Sequence, residues 1–268
     1  MTQLIGALCD NGKSIITLSD RMVSSGDMTI TFEPDSPKYN SINEKCIILL
    51  AGTLLEPCLI EDIKEQGKNE RDMRKLVEVC KQQFSDLKTK RIEEEILRPH
   101  GFESFGDFHE KSQRLHDGII MQMNSLIDRH SLDLVMLLAG LDEGGAHLFM
   151  VSDPGAQACF DAVGFCCPGI GQRHTDPVFA LYRYSVKISP KEALLITFEA
   201  KKRAEMAGGI GVTTDATLIS KEGIKVILDE TLQELEDIHN DQKKGPWQEW
   251  LKSRVGKLAI KTRPLGIT

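Results

Sequence analysis

A chain of 268 residues with 41% hydrophobic content can bury one large core, and no apolar stretch in it approaches the roughly 20 residues of a membrane span. The net charge of −7 is unevenly spread: residues 243–268 contribute +6, which leaves −13 on residues 1–242, and one basic tail on an acidic body is weak evidence for a polyanion partner. Seven cysteines, an odd number without a Cys-x-x-Cys pair and mostly in apolar runs, predict reduced thiols in a cytoplasmic protein rather than disulfides or a zinc site.

In chain order, an extended run begins on Thr2, continues through Cys9 into Asp10-Asn11-Gly12, and residues 13–19 run back. Asn-Gly between apolar runs predicts a hairpin, because both residues tolerate the positive φ of a type I′ turn. With only Met1 ahead of Thr2, no leader or propeptide is expected, and removal of Met1 alone would bare the threonine. One residue would then carry a hydroxyl and an α-amine, and that amine is a recognised base for activating a threonine nucleophile. Its pKa of about 7.7 to 8.0 lets it accept and return a proton near neutrality.

The returning strand ends in Leu18-Ser19-Asp20-Arg21, and a polar turn is expected around Ser24-Ser25-Gly26. Residues 37–42 follow, then a break at Asn43-Glu44-Lys45 and the run Cys46-Ile47-Ile48-Leu49-Leu50-Ala51-Gly52, whose continuous apolar character predicts a strand buried on both faces. Lys38, opening the strand before it, is expected to point inward, where Asp20 would neutralise it. Gly52 stands where a backbone N–H can approach a reacting carbonyl without Cβ interference.

Leu76, Cys80, Phe84, Leu87, Ile92 and Ile96 recur at steps of three to five and predict an amphipathic helix; after Pro99-His100-Gly101, Leu115, Ile119, Met123 and Ile127 predict a second. The charged run over residues 88–95 is read as a solvated helix face. Gly169-Ile170-Gly171 lacks the third glycine of a dinucleotide fingerprint, and His174 and Asp176 have no convergent third ligand. A polar loop is therefore expected there, with no cofactor and no metal. Ser189-Pro190-Lys191-Glu192 is a capping box with proline at the first helical position, predicting a helix to about Met206 that Gly208-Gly209 ends. Residues 210–219 and 223–228 would form the last hairpin. In the basic tail, Trp247, Trp250 and Leu251 share a helical face, and docking on an acidic surface of its own or a neighbouring subunit is preferred to nucleic-acid binding.

Thr2, Gly6, the Asn-Gly turn, Asp20-Arg21, Lys38 and the run from Cys46 to Gly52 stand in an order that resembles the proteasome β-subunit family of N-terminal-nucleophile (Ntn) hydrolases, including bacterial proteasome-like proteins. Leu134-Val135-Met136-Leu137-Leu138-Ala139-Gly140 and Ala146-His147-Leu148-Phe149-Met150-Val151, joined by Asp142-Glu143-Gly144-Gly145, are similar to the family's central hairpin. The resemblance implies an α+β four-layer αββα sandwich over residues 1–242, with an enlarged helical insert at about 57–130 and a basic extension at 243–268. It implies Thr2 as nucleophile and, through its amine, base; Asp20 and Lys38 as the supporting charge pair; and Gly52 as oxyanion donor. Arg21, Gly169, Gly171 and Glu205 are lesser candidates. Two departures stand out. Ile170 occupies the serine position of the family's glycine loop, and Arg203-Ala204-Glu205-Met206-Ala207-Gly208-Gly209 replaces its Arg-Asp-Ser-x-Ser-Gly-Gly.

Three readings follow from the resemblance: a threonine hydrolase cleaving peptides or unfolded proteins inside a homo-oligomeric ring or stacked ring, a non-catalytic subunit of the same fold, or a small-molecule amidase. The sequence names neither an ATP-dependent unfolding partner nor a substrate.

Overall fold

Three consecutive left-handed residues turn the opening hairpin. β1 (Leu4–Cys9) and β2 (Ser14–Asp20) pair antiparallel from Leu4↔Ser19 to Cys9↔Ser14, and Asp10, Asn11 and Gly12 have φ of 53°, 58° and 74°. The connection is thus a four-residue loop rather than the expected two-residue Asn-Gly turn, and β1 begins at Leu4 rather than on Thr2. Gly12 also accepts a hydrogen bond from the Ala146 N–H (2.9 Å), which ties the hairpin to the second half of the chain. The computed structural model describes residues 2–24, 31–52, 57–240, 255–256 and 258–266. Met1, the turn at Ser25-Gly26, the Trp247-Trp250-Leu251 face and most of the basic tail lie outside the described residues.

After β2 come the short β3 (Val23–Ser24) and β4 (Thr31–Phe32), which pair with each other, then β5 (Tyr39–Asn43) and β6 (Cys46–Gly52). The first helices are α1 (Pro57–Gly67), α2 (Met73–Ile92), α3 (Phe105–Ser112) and α4 (Asp117–Arg129). They are followed by β7 (Leu134–Asp142), β8 (Gly145–Ser152), β9 (Ala156–Cys159), β10 (Phe165–Cys166), α5 (Gln172–Leu181) and α6 (Pro190–Ala204). The chain closes with β11 (Thr214–Ser220), β12 (Gly223–Ile227), α7 (Asp229–Asn240) and β13 (Thr262–Pro264). The fold is mixed α+β. Its two large antiparallel sheets have strand orders β10-β1-β2-β11-β12-β13 and β5-β6-β7-β8-β9.

Because side chains alternate across a strand, each sheet sends apolar residues to both faces. Leu4, Leu8 and Ile15 of one sheet pack with Ile47, Leu49, Leu137 and Leu148 of the other, so the two sheets share a core. The opposite face of β1–β2, with Ile5, Ala7, Ile16 and Leu18, packs on Phe179, Leu194, Phe198 and Leu235 of α5, α6 and α7. Ile48, Leu50, Met136 and Leu138 pack on Ile63, Leu76, Cys80 and Phe84 of α1 and α2.

α5 corrects the polar loop expected around His174 and Asp176. Its residues Thr175, Val178 and Phe179 are buried, and Gln172 Nε2 donates to Asp176 Oδ2 within the helix. α6 carries the foreseen capping box and ends at Ala204. Past α2, a π turn over Glu93–Leu97 and a 3-10 turn over Arg98–His100 stop at Gly101 (φ 88°), and α3, unforeseen, precedes α4. These segments bury a separate cluster of Ile92, Ile96, Leu97, Phe102, Phe108 and Met123, with Phe102 and Phe108 edge to face at 5.1 Å. Part of the tail lies on its own body: β13 adds an edge strand to β12, and Lys261 Nζ pairs with Glu230 at 2.7 Å. No helix among the described residues is long and apolar enough to cross a membrane.

Candidate active site

Thr2 is buried, and its position follows from the residues after it. Gln3 forms a single bridge with Gly169, and its side-chain Nε2 donates to Leu4 O (2.9 Å) and Cys167 O (3.0 Å), pinning the start of the chain between β2 and the segment after β10. Gly169, with φ 135°, has to be glycine, since a Cβ there would stand 2.2 Å from Thr2 O. A Cβ on Gly171 would stand 2.6 Å from Gln3 Oε1 and 2.7 Å from the Ala204 Cβ. Both glycines of the loop therefore serve to let it close over the first two described residues.

Lys38, just before β5, is only 3% exposed at its side chain and donates from Nζ to Thr2 Oγ1 (2.7 Å), to Met22 O (2.6 Å) and to Asp20 Oδ1 (3.2 Å). Asp20, fully buried at the end of β2, accepts three more hydrogen bonds. Gln3 N–H reaches Oδ1 at 2.9 Å, while Met22 N–H (3.1 Å) and Gly211 N–H (3.0 Å) reach Oδ2. A buried ion pair is tolerated only when its remaining donors and acceptors are satisfied, and here both oxygens of the carboxylate and the ammonium are occupied. Burial pushes the Lys38 ammonium below the ordinary lysine range, against the opposing pull of Asp20 and, more weakly, Glu33. Such a group holds its proton less tightly than a surface lysine while remaining in hydrogen-bond contact with the Thr2 hydroxyl.

Three sequence-predicted residues, Thr2, Asp20 and Lys38, thus meet in one hydrogen-bonded set, and Gly169 and Gly171 border it. Arg21 flanks it in a bidentate pair with Asp215 (2.9 and 2.7 Å). Gly52, at φ 114°, has to be glycine, since a Cβ there would meet Asp133 O at 1.7 Å. Glu205, a lesser candidate, pairs with Lys201 Nζ (2.5 Å) and Lys202 Nζ (2.7 Å), and the Cβ of buried Ala204 would stand 2.7 Å from a Cβ on Gly171 of the glycine loop. Ile170 is 41% exposed.

The partners that sequence reasoning missed are backbone groups, Met22 O, Gln3 N and Gly211 N, together with Glu33, which receives the Thr213 N–H (3.3 Å) and hydroxyl beside Gly211. Only the glycines at 208, 209 and 211 signalled that the chain bends there. No family model and no curated protein matches this chain in comparison searches.

Proposed function

We propose that this chain is an N-terminal threonine hydrolase of the proteasome β-subunit-like Ntn kind, built on the four-layer αββα sandwich and cleaving peptide bonds in peptides or unfolded proteins within a homo-oligomer. The observation that carries the reading is the 2.7 Å contact of Lys38 Nζ with Thr2 Oγ1, in a buried set closed by Asp20. A threonine beside a buried, carboxylate-held ammonium is arranged for ionisation of its hydroxyl rather than for packing alone.

In this reading Met1 is removed and the Thr2 α-amine takes the Oγ1 proton while Lys38 stabilises the developing alkoxide. Oγ1 attacks the scissile carbonyl carbon, a backbone N–H, with Gly52 the candidate, receives the oxyanion, and the proton passes to the departing amine as the C–N bond breaks. Water, deprotonated by the same amine, then cleaves the Thr2 ester and restores the hydroxyl.

A second reading, a non-catalytic subunit of the same fold, is favoured by buried Ala204 at a position where the family carries an acid. Intact mass and peptide hydrolysis on one preparation separate the two. The hydrolase reading expects a mass one methionine residue below that of the full 29.9 kDa chain, and cleavage of short fluorogenic peptides that falls to background in Thr2→Ala. Retention of Met1 by every molecule, or equal turnover by Thr2→Ala, overturns it.

A further inference from the structure

The segment between α6 and β11, Gly208-Gly209-Ile210-Gly211-Val212-Thr213, supplies a hydrogen bond to Asp20 from a stretch in which three of the six residues are glycine and Ile210 is buried. Three glycines make such a segment entropically costly to order, so its position has to be imposed from outside. One acid and one cation, together with the burial of Ile210, do so. On one side Glu33 accepts from Thr213 N–H at 3.3 Å and from the Thr213 hydroxyl, and it lies so close that a Cβ on Gly211 would stand 1.9 Å from Glu33 Oε1. On the other, Lys201 of α6, whose side chain is fully buried, donates from Nζ to Val212 O (2.7 Å) and to Glu205 Oε1 (2.5 Å). Between these anchors, Gly211 N–H meets Asp20 Oδ2 at 3.0 Å.

We propose that Lys201 is a positioning residue for the Thr2 site: its buried ammonium holds the 208–213 loop so that Gly211 N–H keeps the Asp20 carboxylate, and through it Lys38, in register with Thr2 Oγ1. This rests on the hydrolase reading for its catalytic consequence but not for the clamp itself. The chain of contacts is continuous, from Lys201 Nζ to Val212 O, from the adjacent Gly211 N–H to Asp20, and from Asp20 through Lys38 Nζ to Thr2 Oγ1. A fully buried ammonium is costly unless paired, and removing one member of a buried pair is strongly destabilising when the other charge is left buried without a partner; Glu205 is not left so, because Lys202 also pairs with it at 2.7 Å. Lys201→Met is therefore expected to fold. Stability and positioning are in this way separable.

The test is made on full-length Lys201→Met, with Gly211→Ala as a second variant that displaces the loop from the Glu33 side without altering the buried ammonium. Amide hydrogen exchange over residues 209–213 should rise on the order of tenfold in both while exchange in β1, β2 and β11 stays as in wild type. The Lys38 ammonium nitrogen resonance should shift in both, and peptide hydrolysis should lose kcat on the order of tenfold with KM unchanged. A purely structural lysine would move neither the Lys38 resonance nor kcat alone. Unchanged loop exchange in Lys201→Met overturns the clamp, whatever Gly211→Ala shows. Raised exchange with an unmoved Lys38 resonance and unchanged kcat overturns the positioning role. Should wild-type protein cleave nothing, the hydrolase reading fails on that result, and loop exchange with the Lys38 resonance still decides the clamp.

Discussion

The corner around Thr2 and the helical segments between residues 93 and 130 are stabilised in opposite ways. At the corner, charged groups are buried and held by one another: Asp20 is fully buried, Lys38 nearly so, and the four donors to the carboxylate, from Gln3, Met22, Lys38 and Gly211, come from four different stretches of chain. In the helical segments, Leu97 and Phe102 sit in a small apolar cluster while the charges, such as Lys111 and Asp107, pair at the surface. Charge is therefore structural in one region and nearly incidental in the other. Identical kinds of substitution should have very different costs in the two.

The largest effect is expected from Asp20→Ala. It leaves the Lys38 ammonium buried without its carboxylate and orphans the Gln3 and Gly211 N–H groups, a loss of about 3–5 kcal/mol by urea denaturation. A cost under about 1 kcal/mol would mean that the corner rearranges freely and is not a preorganised site. Next is Leu97→Ala in the helical cluster, where Leu97 is fully buried. It should cost about 2–4 kcal/mol through lost transfer energy and a residual cavity, with faster amide exchange over residues 93–129 and unchanged exchange at Thr2's neighbours. Spread of that exchange into β1 and β2 would show that the cluster is not separate.

A smaller, pH-dependent effect lies between these extremes at His147. Its Nδ1 contacts Asp161 Oδ2 at 2.7 Å and its Nε2 contacts Asp142 Oδ1 at 2.9 Å, and the hydrogen bond to Asp161, partly offset by burial and reinforced by Asp142, raises the imidazole above its ordinary value near 6.5. A raised folded-state value favours the native state most below the unfolded value and loses that contribution as pH climbs through the folded one. Thermal unfolding at pH 5.5 and pH 8 should accordingly show less stabilisation at the higher pH in wild type than His147→Gln shows over the same interval; a variant with the same pH slope contradicts the assignment. The smallest change is expected of Lys111→Ala. Lys111 is exposed and its half-buried partner Asp107 lies one turn away, and such surface pairs contribute about 0–0.5 kcal/mol.

The same contrast governs what the sequence makes legible. Long apolar runs locate β6, β7 and β8, and the capping box at Ser189 locates the start of α6, because burial and capping leave side-chain signatures. Thr2, Asp20 and Lys38 can be named as a set in advance because each contributes a side chain to it. Gly211 and Met22 cannot, since they contribute backbone N–H and C=O groups that any residue possesses. α5 escapes a periodicity argument because Pro177 lies inside it and its buried face is only Thr175, Val178 and Phe179. α3 is eight residues long with one buried side chain, Phe108, too little apolar pattern to register as a helix.

The most direct measurement is tandem mass spectrometry of the protein after exposure to an electrophile that closes a ring on both the hydroxyl and the amine of an N-terminal threonine. The account predicts a stoichiometric adduct confined to Thr2, forming far more slowly in Lys38→Ala, whose Thr2 hydroxyl has lost its 2.7 Å ammonium contact. An unmodified Thr2 in protein verified to lack Met1, or an adduct that forms equally fast without Lys38, contradicts it.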